Sequence, residues 1–172
     1  MKKIIILLVM VLGLSVNVFS NDINYEILST LIKNITLDFS IFLTKNNWNG
    51  NVCIPILDTL HKRNYRTIIT NASRQDPNFD GKYRIVEFGY GSGVQMFFII
   101  DLNNGNVYEG ISSTHGIKYT VNSSLIIIND PDTVLENWKY WDEDMPNWVF
   151  IEYILWENNN YKKLLTINPF NE

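Results

Sequence analysis

From Pro77 to Gly110 the chain reads PNFDGKYRIVEFGYGSGVQMFFIIDLNNGNVYEG, and the reading of this stretch decides the fold. Two runs rich in β-branched and aromatic residues, Lys82–Phe88 and Val94–Leu102, flank the turn Gly89-Tyr90-Gly91-Ser92-Gly93. A third short run, Asn106–Glu109, follows Asn103-Asn104-Gly105. Asn-Gly between apolar runs is a strong hairpin signal, because both residues tolerate positive φ and so match the twist of the flanking strands. The stretch therefore predicts an antiparallel meander.

Working outward, Ile117–Val121 alternates as a half-buried strand does, and Leu125–Ile128 is apolar at every position, as in a strand covered on both faces. Asn122-Ser123-Ser124 joins the two, and Trp148–Trp156 and Tyr161–Ile167 form a closing pair around Glu157–Asn160. Upstream, the apolar positions 28, 31, 32, 35, 39 and 43 follow a helical stripe within Asn24–Leu43, while Thr36, Phe39, Ile41 and Phe42 favour an extended second half. Asp58 is placed to cap a helix from Thr59 to Asn71, with Arg63, Arg66 and Arg74 on its outer face. Val52–Leu57 is apolar but broken by Pro55. The expected fold is α+β, with N-terminal helical segments packed on a mainly antiparallel β-sheet of about seven strands.

The first twenty residues, MKKIIILLVMVLGLSVNVFS, have the form of a secretory signal: Lys2 and Lys3, then an apolar run, then small residues at Val18 and Ser20. The run is shorter than the ~20 residues of a spanning helix. Cleavage after Ser20 is expected, leaving 21–172 as a single globular domain that is exported and soluble, periplasmic or extracellular, with no membrane span. Removing Lys2 and Lys3 takes the formal charge from −4 to −6. Such an acidic chain has no electrostatic case for nucleic acid, whose phosphates demand an excess of Lys and Arg. The hydrophobic fraction of 46% argues for a packed core. Cys53 is the one cysteine, so no internal disulfide supports the fold.

The residues from Asn71 onward resemble a family of small, uncharacterised secreted bacterial proteins. The matching motifs are Asn78-Phe79-Asp80-Gly81-Lys82-Tyr83, Gly89-Tyr90-Gly91-Ser92-Gly93-Val94-Gln95, and Ile100-Asp101 with Gly105, Val107 and Tyr108. Thr120–Asn129, Tyr153–Glu157 and Lys163–Leu165 extend the likeness. The family pattern has Gly-Cys-Gly-x-x-Cys-Gln at the turn. Here Tyr90 and Val94 stand at the cysteine positions, so any redox or metal role of that pair is lost. The resemblance implies export and fold, and it carries no activity.

No residue pattern points firmly to catalysis. Cys53 lies between Val52 and Ile54, surroundings that raise a thiol pKa, and His115 reads as a solvated loop histidine. Two histidines, His61 and His115, without HxxxH or CxxC spacing do not suggest zinc. The glycine turn leads into a strand and lacks the Lys-Ser/Thr of a phosphate loop. No cofactor or metal is therefore expected. Glu87 and Asp101 are the candidates for a carboxylate pair acting on cell-wall material, the enzymatic alternative. The leading expectation is a non-catalytic binding or interaction role. The polar segment Asp130–Trp148 reads as a loop that concentrates carboxylates and aromatics: either a solvated connection with its tryptophans tucked onto the sheet, or a docking loop with Trp138, Trp141, Asp142, Glu143 and Asp144 as partner-binding candidates. Such a segment suits a cationic envelope protein or a glycan.

Overall fold

The computed structural model describes residues 16–19, 25–138 and 149–168. The meander forms as a three-stranded sheet, β2 (Tyr83–Gly91), β3 (Val94–Asp101) and β4 (Val107–Glu109), antiparallel throughout. Only Ser92 and Gly93 form the first turn, with φ of 49° and 78°, while the strand runs on through Gly89 and Tyr90 and bulges before Gly91. Positive φ at both loop residues is what a two-residue hairpin requires.

The remaining strands build a second sheet, so the expectation of one sheet is corrected to two. Its order is β1 (Val16–Phe19), β8 (Asn160–Asn168), β7 (Ile151–Glu157), β6 (Leu125–Ile128) and β5 (Ile117–Lys118). All neighbours are antiparallel except β1, which lies parallel on β8 in the register Val16 to Leu165. The β7–β8 hairpin again turns on two residues of positive φ, Asn158 and Asn159. Seven antiparallel strands and few helices make the chain α+β.

Side-chain parity along β6 explains why two sheets form. Leu125 and Ile127 point to one face and share a core with Tyr153, Leu165 and Ile167. Leu28 and Leu31 of α1 (Tyr25–Asn34) and Val134 and Trp138 of α4 (Pro131–Trp138) complete that core. Ile126 and Ile128 point the other way, onto Tyr83, Ile85, Phe97 and Ile99 of the small sheet. The opposite face of the small sheet, with Phe88, Phe98 and Ile100, is covered by α2 (Leu60–Asn64), α3 (Arg66–Ala72) and the segment 48–57. The layers therefore run helix, sheet, sheet, helix.

One local alternative is resolved and two expectations change. The stripe in 24–43 supports a helix only as far as Asn34, and 35–45 crosses the surface without regular structure until Leu43 bridges Ser123. The helix expected from Thr59 to Asn71 divides at Tyr65, whose ψ of 18° closes α2 and opens α3. Its N-cap is Thr59, whose hydroxyl accepts from the Lys62 amide at 3.2 Å, while Asp58 instead pairs with the Lys62 ammonium at 2.6 Å. Finally, Pro131–Trp138 is helical where the sequence reads as loop. Pro131 sits at the first helical position, and the Asp130 carboxylate accepts from the Asp132 amide and the Thr133 hydroxyl.

Candidate functional site

The site begins at the turn that feeds β2. Asp80 and Gly81 both have positive φ, 41° and 68°, and Phe79 and Tyr83 bond each other across the turn. The Gly81 amide donates to the Val121 carbonyl at 2.7 Å, which seats the turn on the loop before β6. A Cβ at Gly81 would stand 2.1 Å from the Asn46 carbonyl oxygen, so only glycine lets the 42–46 loop close on this turn.

The Asp80 side chain locks that closure. Its carboxylate accepts from Asn46 Nδ2 at 2.7 Å and from Ser124 Oγ at 2.7 Å, and Asp80 is buried. The same 122–124 loop donates its Ser123 hydroxyl to the Phe42 carbonyl and offers its Asn122 carbonyl to the Thr44 amide. Lys82 reaches inward to the buried Asp101 carboxylate at 2.9 Å and lies over the Tyr83 ring, with its nitrogen 4.8 Å from the centroid. Asp101 is tied further by the Asn103 amide and the Asn104 side chain, so it holds the Asn103–Gly105 turn.

Between the 42–46 loop and the Asn158-Asn159 turn these groups leave a cleft of about 500 Å³. Its walls carry Leu43, Lys45, Asn46, Glu157, Asn158 and Asn159, and its floor is formed by Asp80, Lys82, Tyr83 and Trp156. The Tyr83 hydroxyl donates to Asn159 Oδ1 at 2.8 Å, which ties floor to wall. Burial pushes the Tyr83 pKa up; the nearby Trp156 indole and the Lys82 charge oppose the rise. The buried Trp156 N–H nevertheless has no hydrogen bond of normal geometry to any described residue. A volume of this size, with several amides and both signs of charge, suits a small polar ligand.

The sequence-derived candidates fall elsewhere. Trp138 is in the core beside Leu28 and Val134, 7% exposed, and is corrected from a docking residue to a packing residue. The positions of Trp141, Asp142, Glu143 and Asp144 lie outside the described residues. Glu87 and Asp101 are not brought together. Glu87 faces Phe97 and Asp101 faces Tyr83, four residues apart along the ladder, or about 13 Å. Carboxylate pairs in glycosidases stand roughly 5 to 9.5 Å apart. Glu87 instead accepts from the Tyr119 hydroxyl at 3.2 Å. Burial, with the Glu87 charge, pushes Tyr119 up to about 12, and burial raises Glu87 itself.

His115 is also corrected: it is 6% exposed, its amide donates to Asn129 Oδ1, and burial lowers its pKa. Cys53 is partly buried against the small sheet with its thiol pKa raised by burial. No group of three or more His, Cys, Asp or Glu that could hold a metal occurs among the described residues.

One local signal in the sequence marks the base of the cleft. Asp80-Gly81 is a turn dipeptide of the same kind as Asn-Gly, and it precedes β2 as Asn104-Gly105 precedes β4. What the sequence could not supply is that Asn46 and Asn159, from opposite ends of the chain, meet above it. Compared with protein-family models, curated proteins and solved structures, the chain matches none.

Proposed function

We propose that this protein is an exported, soluble protein of the cell envelope with a non-catalytic binding role, and that its cleft receives a glycan fragment of the envelope. The polar cleft over Asp80, Lys82 and Tyr83 carries the reading: its amides Asn46, Asn158 and Asn159, with Lys45 and Glu157, offer the mixed donors and acceptors that sugar hydroxyls need. Leu43, 64% exposed at the rim, offers apolar contact beside them. Export rests on the N-terminal signal pattern and on the motifs shared with the small secreted family. Cleavage after Ser20 would take away β1 and leave the outer edge of β8 open in the mature chain.

Binding and hydrolysis are separated by what happens to the ligand. Titration calorimetry with muropeptides and chitooligosaccharides should give saturable heat with at least one of them, and mass spectrometry should return that ligand intact. Lys45→Ala and Glu157→Gln, both at exposed wall positions, should each weaken binding about threefold to tenfold, the effect of losing one hydrogen bond of ordinary net strength. A cleaved saccharide would favour the hydrolase. Absence of saturable heat with every saccharide would remove the glycan reading.

A further inference from the structure

The layer that covers the far face of the small sheet carries a charge opposite to that of the whole chain. Residues 58–76 contain Lys62, Arg63, Arg66 and Arg74 against Asp58 and Asp76, a net +2 within a chain of net −4, so the rest carries −6. Lys62 is neutralised by Asp58, and His61 meets Glu109 at 3.2 Å. Arg63, Arg66 and Arg74 are exposed and make no ion pair with any described residue. Among the described residues the Arg63 guanidinium bonds the Thr59 and Asp58 carbonyls and no carboxylate, which leaves its charge unmet.

The same layer shows apolar side chains to solvent. Along the extended segment 52–57 the residues alternate: Cys53 and Leu57 pack inward on the small-sheet core, while Val52, Ile54 and Ile56 face out at 66%, 89% and 47% exposure. Leu60, at the first turn of α2, is 72% exposed. Tyr65, Ile68, Ile69 and Ala72 turn α2 and α3 onto the same core, so both segments present their outward side chains on one surface.

We propose that this face docks peripherally on an anionic lipid surface. Aliphatic tips flanked by unpaired arginines match a layer that is negative at the headgroups and apolar just beneath. Pairing with a strand of another protein fits less well, because Pro55 interrupts the only extended run on the face. Docking here needs no spanning segment, and no helix among the described residues is long and apolar enough to cross a membrane. The face is distinct from the cleft, so the two can fail independently.

Vesicle co-sedimentation tests the proposal, with phosphatidylglycerol–phosphatidylcholine vesicles against phosphatidylcholine alone. Parent and variants share the same N-terminal run, so its own affinity for lipid cancels in the comparison. The full chain should partition onto the anionic vesicles and release as salt rises. Replacing Arg63, Arg66 and Arg74 together by Gln should weaken partition about a hundredfold, at roughly fivefold per basic residue. Ile54→Asn with Leu60→Asn should weaken it at every salt concentration; these sites are exposed, so circular dichroism should be unchanged. Variants that bind the anionic vesicles like the parent, or an excess of partition onto anionic over neutral vesicles that survives the arginine substitutions, would overturn the proposal. Capture by soluble polyglutamate with none by anionic vesicles would overturn it too, and would point to an acidic protein.

Discussion

Gly93 and Gly105 both close hairpins of the small sheet, and both sit at positive φ, yet their surroundings differ completely. A Cβ at Gly93 would meet nothing within 4 Å, whereas one at Gly105 would stand 2.2 Å from the Ile54 carbonyl oxygen. Gly81 resembles Gly105, with the Asn46 carbonyl in place of Ile54. The first turn only reverses the chain. The other two also anchor the irregular segment 43–57, which carries the Lys45–Asn46 wall of the cleft and the outward row Val52, Ile54 and Ile56. Cross-links reinforce the anchoring: the Ile56 amide donates to the Gly105 carbonyl, and Asn103 exchanges hydrogen bonds with Asn49 and Asn47. A segment with little regular structure can therefore be well placed when its backbone is gripped at both ends.

Substitution at the three glycines should separate these roles. Gly105→Val combines backbone strain with a clash against fixed backbone and should cost about 3 kcal/mol in urea unfolding. Gly81→Ala carries the same kind of clash with a smaller side chain, costing about 2 kcal/mol, and should lose cleft binding even where the fold survives. Gly93→Ala meets open space and should cost only the strain of the left-handed conformation, about 1 kcal/mol. Equal losses at Gly93 and Gly105 would erase the distinction between a free turn and an anchoring one.

The smallest effect expected is a pH dependence outside both regions. Burial favours the neutral form of His115, so the unfolded chain takes up its proton first as pH falls. Its contribution is complete above the ordinary histidine pKa of about 6.5 and declines as pH drops through that value toward the lower folded one. In a urea midpoint series from pH 8 to 5, His115→Gln should flatten that decline. A slope unchanged by the substitution would mean that another group controls it.

Much of this was legible in the sequence, and the misses share a cause. Periodicity placed β2, β3, β6 and the closing hairpin to within a few residues, because alternation and Asn-Gly turns are local signals. The apolar run Leu125–Ile128 announced burial on two faces, yet what covered each face depended on contacts distant in the chain. Local composition also misled at Asp130–Trp138, where acidic and aromatic residues read as a loop. There Pro131 and the Asp130 cap, with Val134 and Trp138 spaced four apart, make an amphipathic helix whose tryptophan faces the core. Asp80 carries no local signal of a site residue, because its partners, Asn46 and Ser124, lie 34 and 44 residues away.

The central claim is that the gripped 43–57 segment and the Asn158-Asn159 turn enclose a ligand site. Amide chemical shifts of the protein, followed during titration with the saccharide that gives heat, test it most directly. The account predicts saturable shifts confined to residues 42–46, 80–83 and 155–159, with the hairpin tip at Ser92-Gly93 unmoved. Shifts centred on Glu87 and Tyr119, or on Arg63 to Arg74, with the cleft amides unchanged, would contradict it.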